Sequence, residues 1–596
     1  MSSEVKIMER GLALMRAGLT RRQLLRVLGI SSVGVAATGL LAACATDDAS
    51  DDDAEDVAAA EGDDAEDDHD ADVAEDDAES EDDLDEEPVD DEVEETDDAV
   101  EESEDSAGDD ERPELVVGVQ GLPATLDAQR ELSNVGMRVS YLMYDPLIRR
   151  DWWSGDTPGM GRDLHPHIAE TWEFVDDVSL ELTLRQDVAF HNGDPMSAED
   201  VKYSFDRVIV DTPAELQTAA DFLASIQQVD VVDDYTVHII THDPDPTLIM
   251  RLVGWTSYAY PMAYAESMSL DDFGAEPITT GPYRLTEFVI DDRVVFEAND
   301  DYWDETPPAS RVTLRVIPEV SARVAALVSG EVDIITNITP DQIETLESSD
   351  GVHARTVPLL NFNVLRYNTH NPVISDPRVR QAMNMSIDRE LIVETLWSGN
   401  ASVPDSHQYP DYGELLNEDR TPAYDPDRAR ELLEEAGYDG EEVVMWVRPD
   451  YYTLGFEAMQ AIAQMWQEVG INAVIDAREE AFEFVDEAMV QIWSNTSVLA
   501  DPAGSLWRLW GTESAMQREF WDAPERFNEL GEEAIATLDQ DFRYDAYQEM
   551  LDIWEEDAPG TVLYLPVETY GVRDGVVWNP YSLFYMDLRA HNLSFE

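Results

Sequence analysis

Cysteine and basic residues are scarce in this chain. A single cysteine, Cys44, occurs in 596 residues, so an intrachain disulfide and a metal site built on two cysteines are both excluded. Only 37 Lys and Arg residues accompany 131 Asp and Glu residues, which gives a formal net charge of -94 at pH 7. Because a nucleic-acid backbone would be repelled by this charge, we expect no nucleic-acid partner.

Sequence motifs of catalysis are missing as well. The chain contains no G-x-S-x-G nucleophile elbow, no H-E-x-x-H zinc motif, no phosphate-binding loop and no G-x-G-x-x-G dinucleotide pattern. His165 and His167 flank Pro166, but a histidine pair needs further ligands to hold a metal. We therefore predict no catalytic residue, no metal site and no cofactor.

The acidic residues are spread over the whole chain. Residues 1–111 hold 41 acidic and 6 basic residues, which leaves 90 acidic and 31 basic residues beyond them. Such self-repulsion disfavours a compact state in dilute buffer, whereas at 1 M salt the screening length falls to about 3 Å. The composition is typical of a protein from a halophile.

The N-terminal segment has the pattern of an export signal. Arg21 and Arg22 precede an apolar, glycine-interrupted stretch from Val27 to Ala43, which is typical of the twin-arginine route. The stretch ends in Leu-Ala-Ala-Cys, which resembles a lipobox, so we predict that Cys44 carries a lipid and anchors the protein to the cell membrane. The alternative is an uncleaved membrane helix, for which the stretch is slightly short.

Residues 44–112 are predicted to be a disordered acidic tether. They are almost wholly Asp, Glu, Ala, Ser and Val, with no aromatic residue and no periodic apolar face, and like charges extend such a segment. Calcium binding is the alternative function, but the segment lacks the glycine-turned spacing of a calcium loop.

Strand and helix signals alternate beyond the tether. A β-branched run begins at Glu114, and three capping residues, Ser197, Asp376 and Asp425, each mark a helix start. An apolar helical face from Met459 to Val469 ends at Gly470 and passes directly into a strand pattern. This alternation predicts α/β lobes.

The globular part resembles the family 5 extracellular solute-binding proteins, the peptide- and nickel-binding components of ABC importers. The most specific likeness is the stretch from Leu184 to Val201, which includes Phe190, His191 and Gly193. The matching segments occur in collinear order: Tyr144–Leu147, Ile168–Trp172, Leu184–Val201, Thr280–Tyr283, Asn299–Trp303, Ala326–Asp333, Asp376–Ala382, Ser386–Arg389 and Ala429–Gly437.

The resemblance implies a two-lobed, periplasmic-binding-protein-like fold of type II, from the large cluster with an extra domain. By analogy, lobe I would comprise residues 113–150, 275–355 and 567–596, lobe II would comprise residues 356–566, and residues 151–274 would be an inserted small domain. It also implies extracytoplasmic capture of a di- or oligopeptide by hinge closure, delivery to an ABC permease and ATPase, and a monomeric state.

Peptide binders of the family often hold the peptide ammonium group with an aspartate three residues after a tryptophan. Here that stretch reads Trp493, Ser494, Asn495, Thr496, so a neutral hydroxyl stands at the aspartate position, and Asp501 is the alternative ammonium partner. The predicted ligand-binding residues are Trp493, Asn495, Thr496, Asp501, Trp507 and Tyr144.

Several alternatives remain open from the sequence. A nickel chelate or an oligosaccharide could occupy the same scaffold, and a surface hydrolase or adhesin on an acidic stalk is the rival from another class. We expect the signature residues to serve the scaffold: Phe190 and His191 to pack and hydrogen-bond in a turn, Gly193 to adopt a positive φ, and Arg185, Arg380 and Arg389 to form structural ion pairs.

Replacing Cys44 by Ser should release the protein from membranes, because the thioether to the lipid can no longer form. The measurement is fractionation of cells by ultracentrifugation, with Ala45→Ser as the control that keeps the lipobox cysteine. Continued membrane association of the Cys44→Ser protein would favour the uncleaved helix.

Dialysis from multimolar potassium chloride into dilute buffer should lower the Tm followed by circular dichroism, because carboxylate repulsion is no longer screened. Sucrose, which stabilises folded proteins without screening charge, should restore less of the Tm than salt does. An unchanged Tm in dilute buffer would contradict the halophile interpretation.

Overall fold

The computed structural model describes residues 112–155, 159–210, 212–449, 451–478 and 488–596. The predicted export signal, Cys44 and the tether up to residue 111 lie outside the described residues. The described residues belong to one compact unit. Among them, no helix is both long enough and apolar enough to cross a bilayer.

The described strands are numbered here in chain order. They are β1 Glu114–Val119, β2 Ile148–Asp151, β3 Asp163–Pro166, β4 Ala169–Asp176, β5 Ser179–Leu184, β6 Ile226–Asp233, β7 Thr236–Thr241, β8 Tyr283–Val289, β9 Arg293–Ala298, β10 Arg311–Val316, β11 Ile334–Ile335, β12 Val352–Pro358, β13 Asn361–Tyr367, β14 Glu442–Val447, β15 Asn472–Ala477, β16 Val490–Thr496, β17 Gly560–Tyr564, β18 Val567–Arg573, β19 Val576–Trp578 and β20 Leu593–Phe595.

The described α-helices are numbered in the same way. They are α1 Asn134–Met143, α2 Ala198–Ile209, α3 Gln217–Phe222, α4 Leu248–Arg251, α5 Met262–Ala265, α6 Leu270–Ala275, α7 Val320–Ser329, α8 Pro340–Glu347, α9 Pro377–Met385, α10 Arg389–Leu396, α11 Pro426–Ala436, α12 Gly455–Val469, α13 Leu506–Trp510, α14 Ala515–Phe520, α15 Glu525–Ile535 and α16 Gln540–Asp557. Short 3-10 turns lie at Ala128–Arg130, Ala214–Leu216, Trp255–Ser257, Pro410–Leu415 and Pro502–Gly504.

Three larger sheets organise the chain. A seven-stranded sheet has the order β12-β18-β11-β1-β10-β9-β8, and a five-stranded sheet has the order β15-β14-β16-β13-β17. An antiparallel four-stranded sheet, β4-β5-β7-β6, is formed within residues 169–241. Parallel pairing of β1 with β10 and of β14 with β15 makes the two large sheets mixed. The α/β prediction is confirmed, while the predicted lobe and insert bounds stay a prediction.

Two short segments connect the seven-stranded sheet to the five-stranded sheet. Residues 359–360 separate β12 from β13, and residues 565–566 separate β17 from β18. The two segments run side by side, since the Leu359 amide donates a hydrogen bond of 3.0 Å to the Pro566 carbonyl. The chain therefore crosses between the sheets twice, at one place.

Local signals in the sequence predicted several elements correctly. Ser197 forms a capping box with Asp200 at the start of α2, and Asp376 and Asp425 cap α9 and α11. Gly193 adopts the expected positive φ of 87° in the turn of the signature stretch. These signals act over a few residues, so packing elsewhere did not override them.

The helix-to-strand unit at residues 455–477 is also confirmed. Met459 and Trp466 are fully buried in the core beneath the five-stranded sheet, and the Trp466 indole donates to the Met383 carbonyl at 2.9 Å. Gly470 ends α12 with a φ of 103°. The stripe of methionine and tryptophan is therefore core packing.

Asp145 is a fully buried carboxylate that packs beside the seven-stranded sheet. Burial alone would raise the pKa of this carboxyl, but the charge of Arg589 and the hydrogen bond from His167 outweigh burial and hold the pKa well below its usual range. The donors to its two oxygens are Arg589 at 2.7 Å, Tyr302 at 2.8 Å, Thr280 at 3.0 Å, and His167 and Trp303 at 3.1 Å.

Replacing Asp145 by Asn should destabilise the protein by about 1.5 to 3 kcal/mol, because buried charge-assisted hydrogen bonds are lost while Arg589 keeps Asp587 at 3.1 Å. Since the folded-state pKa of Asp145 is depressed, its contribution is complete above the ordinary aspartate pKa of about 3.9 and is lost only as the pH falls below that value. Urea unfolding in multimolar salt from pH 7 down to pH 3 measures both effects.

Asp187→Asn is the matched control for this substitution. Asp187 also accepts an arginine bond, from Arg185 at 2.8 Å, but its side chain is 61% exposed, so the loss should stay below about 1 kcal/mol. Equal stability losses in the two variants would contradict the role given to Asp145.

Candidate ligand-binding site

The antiparallel pair β13 and β16 carries the predicted tryptophan. In this register Trp493 lies opposite Val364, and Gln491 lies opposite Arg366. Alternate residues of a strand share a face, so Gln491, Trp493 and Asn495 project from the same side of the five-stranded sheet. Trp493 is half-buried, and the guanidinium of Arg366 lies 4.1 Å from the centre of its ring. This face combines an aromatic surface with positive charge.

Asn495 is buried and held in one orientation. Its Nδ2 donates to the Ser505 carbonyl at 3.1 Å and approaches His407 Nε2 at 3.3 Å. An amide nitrogen has only donors, so His407 Nε2 accepts. Burial lowers the pKa of His407 to about 3, which keeps the ring neutral and able to accept. The Asn495 Oδ1 is thereby turned toward Arg508.

Arg508 is the site residue that the sequence analysis missed. Its Nη2 donates to Asn495 Oδ1 at 2.6 Å and to the Thr496 carbonyl at 3.3 Å, and its Nε donates to the Gly504 carbonyl at 3.0 Å. The side chain retains exposed surface, yet neighbouring groups surround the guanidinium closely enough that burial lowers the pKa of Arg508. The Phe222 ring of α3 lies 5.6 Å from the guanidinium carbon. Arg508 therefore lies where the helices next to the five-stranded sheet contact residues 169–241.

Asp501 forms an ion pair inside the protein. Both of its carboxylate oxygens accept from Arg543 Nη2 at 2.8 Å, and one of them also caps Ala503 with a bond of 2.9 Å. Asp501 is buried and Arg543 is almost completely so. The carboxylate that was the alternative ammonium partner is thus already neutralised by a cation of α16.

Thr496 and Trp507 lie near Arg508 with different environments. Thr496 is half-buried and pairs with Asn361 across the strands. Trp507 is half-buried and packs on α15, with its ring centre 6.2 Å from that of Phe527. A Cβ on Gly531 would fall 2.0 Å from the Trp507 ring, so glycine at that position permits the close approach.

Tyr144 is a core side chain in this structure. It has no exposed surface, its hydroxyl donates to the Leu126 carbonyl at 3.1 Å, and its ring stacks on Tyr258 at 4.9 Å. Its neighbour Asp145 is the carboxylate described above. The Tyr144–Leu147 motif therefore serves core packing, and the Tyr144 side chain is not accessible to a ligand in this structure.

The other signature residues also have scaffold roles. Phe190 is buried, and His191 Nε2 lies 2.9 Å from the Gly281 carbonyl. Arg185 pairs with Asp187 as expected. The ion-pair prediction is wrong for Arg389, which donates to the Val562 carbonyl, the Thr561 hydroxyl and two further carbonyls, with no carboxylate at ion-pair distance among the described residues. Arg380 also bonds mainly to carbonyls, but its Nη2 lies 3.5 Å from Asp557 Oδ1, so the ion-pair prediction is confirmed there.

Comparison of this chain with known proteins identifies its family. The profile of the bacterial extracellular solute-binding proteins, family 5, matches residues 163–517. The heme-binding protein A of Haemophilus influenzae is 26% identical over 430 residues, covering 67% of this chain and 78% of its own. The di/tripeptide-binding protein 1 of Pseudomonas aeruginosa is 26% identical over 438 residues, covering 67% and 80%.

Solved structures share the fold. The periplasmic binding protein DppA of Helicobacter pylori, in complex with the peptide STSA, superposes with a TM-score of 0.71 at 22% identity, covering 81% of this chain and 99% of its own. NikA of Brucella suis, in complex with Fe(III)-EDTA, has a TM-score of 0.71 at 21% identity, covering 81% and 100%. The two-lobed, periplasmic-binding-protein-like fold is confirmed.

The family profile spans more than half of this chain, and the relatives align along most of their own length. The protein belongs to the bacterial extracellular solute-binding proteins of family 5.

Proposed function

We propose that this protein captures a di- or oligopeptide outside the cytoplasm and delivers it to the permease and ATPase of an ABC importer. The observation that carries the proposal is the cluster beside Phe222, where the half-buried Trp493 and the buried Asn495 of β16 lie with Arg508 of α13. A dipeptide-binding protein of Escherichia coli, 24% identical over 432 residues, and the peptide-bound DppA of Helicobacter pylori support the ligand class.

Closure of the two lobes would capture the ligand. The crossing segments at residues 359–360 and 565–566 would form the hinge. Within the described ranges, these two short stretches are where the chain passes from one large sheet to the other. A ligand that contacts both sides of the cleft stabilises the closed form alone, so binding shifts the equilibrium toward a surface that the permease can recognise.

A buried ion pair joins β2 to the segment between β13 and β14. Arg150 of β2 donates at 3.2 Å to Asp411, which lies between β13 and β14 in the chain. Burial lowers the pKa of Arg150 and raises that of Asp411, so each group depends on the other to stay charged. Separation of the lobes would expose both groups to water.

The proposed membrane anchoring, export route and halophilic host are inferred from the sequence. Cys44 would carry the lipid that holds the protein at the membrane, Arg21 and Arg22 would direct export, and the acidic segment would be the tether. The acidic composition supports a halophilic host. We further propose that the protein acts as a monomer and catalyses no reaction.

A metal chelate is the second candidate ligand, favoured by the likeness to NikA in complex with Fe(III)-EDTA. A chelate brings its own ligands, so the protein needs only to hold the outer carboxylates. Within the described residues, no group of three His, Cys, Asp or Glu residues could hold a metal by itself. An oligosaccharide is the third candidate.

Mass spectrometry of small molecules released from the Cys44→Ser protein, purified in multimolar salt, tests the ligand class. A mixture of short peptides is expected. Trp493→Ala should release less, whereas Trp153→Ala, which removes a 42% exposed tryptophan elsewhere, should release the same amount. A single sugar or a metal chelate would contradict the peptide proposal.

A further inference from the structure

Arg508 carries a charge that no carboxylate of the described ranges neutralises. Several exposed arginines elsewhere form ion pairs, as Arg293 does with Glu287 at 2.7 Å and Arg428 does with Glu435 at 2.8 Å. Arg508 instead donates to two carbonyls and to the amide oxygen of Asn495. In a chain with 131 acidic residues, this neutral surrounding leaves the full positive charge available to a ligand.

The guanidinium is held in position with one edge open. Nε and Nη2 make all three hydrogen bonds, and Nη1 makes none with the described residues. The Asn495 acceptor is itself fixed by Ser505 and His407. A guanidinium held in this way loses little rotamer freedom when it binds an anion, so the open Nη1 edge is prepared for a carboxylate.

The neighbouring acids do not offer a matching ammonium site. Thr496 is neutral, and Asp501 is neutralised by Arg543. Asp411, which accepts weakly from Ser497 at 3.5 Å, is buried against Arg150. The site described here therefore presents a free cation but no free carboxylate.

We infer that Arg508 binds a carboxylate of the ligand through its Nη1 edge, and that the ligand needs no free amino group. This inference rests on the proposed function and narrows it to peptides recognised by their terminal carboxylate, including peptides whose amino end is blocked. The Phe222 ring lies 5.6 Å from the guanidinium carbon, so an apolar ring borders the place where the ion pair would form.

The test is isothermal titration of the Cys44→Ser protein with three dipeptide probes: Ala-Ala, N-acetyl-Ala-Ala and Ala-Ala-amide. We expect Ala-Ala and its acetylated form to bind within about threefold of each other. The amide should bind about 10- to 150-fold more weakly, since it loses one charge-assisted hydrogen-bonded pair.

Two variants test whether the difference in affinity between the dipeptide acid and the dipeptide amide depends on Arg508. Arg508→Gln should weaken Ala-Ala to the level of the amide and leave the amide unchanged, whereas Arg508→Lys should retain part of the preference for the acid. Arg518→Gln is the matched control, because Arg518 is 54% exposed and lies 3.7 Å from Glu513; it should leave all three affinities unchanged. Equal Tm values of the variants establish that each one folds.

The outcomes separate this inference from the proposed function. Tight binding of the amide, or loss of binding on acetylation, overturns the role of Arg508 and leaves the peptide proposal standing. If no dipeptide binds, compounds released from the wild type and the Arg508→Gln protein are compared by mass spectrometry. A non-peptide carboxylate present only in the wild type supports Arg508 and overturns the peptide ligand; no difference between the two proteins overturns both.

Discussion

The buried carboxylate of Asp145 joins parts of the chain that are far apart in sequence. Its partners come from the segment after β2 and β3, from the loop before β8, from the loop after β9 and from the C-terminal stretch at Arg589. A buried charge is tolerated only when it is fully paired. The packing around the seven-stranded sheet therefore depends on all of these segments arriving together, and two of the partners, Thr280 and Tyr302, lie in motifs that carry the family resemblance.

Several arginines of this protein organise buried backbone. Arg380 and Arg389 bond to carbonyls at the ends of α9 and α16 and along β17, and Arg323 does the same around β11. Burial lowers the pKa of Arg323 and Arg389 to about 10, which still leaves both charged at neutral pH. Carboxylates at the surface then have few cationic partners, so the surface keeps its strong negative charge.

The binding face follows from how β13 and β16 are placed. The side chains on one face of the β13–β16 pair contact helices α13 to α16. This packing orients the Asn495 side chain toward Arg508. The same packing buries Trp510 and leaves Trp493 half-exposed. The contrast between two tryptophans 17 residues apart comes from their places in the sheet and the helix layer, and not from any difference in their type.

The amino-acid sequence by itself determined the elements whose signals are local. The capping residues Ser197, Asp376 and Asp425, the positive φ of Gly193 and the apolar face of α12 each depend on backbone and side chains within a few residues, and these predictions are confirmed. The family motifs also indicated the fold, because their order along the chain is a property of the sequence.

Only the tertiary structure decided which polar groups are available to a ligand. Asp501 is neutralised by Arg543, 42 residues away, and Tyr144 is buried by Tyr258 from a distant segment. No periodicity or spacing indicates such pairs, because they depend on how whole helices and strands pack. Nothing in the sequence distinguishes Arg508 for the same reason, since its hydrogen-bond partners, two carbonyls and the amide oxygen of Asn495, are brought to it by folding.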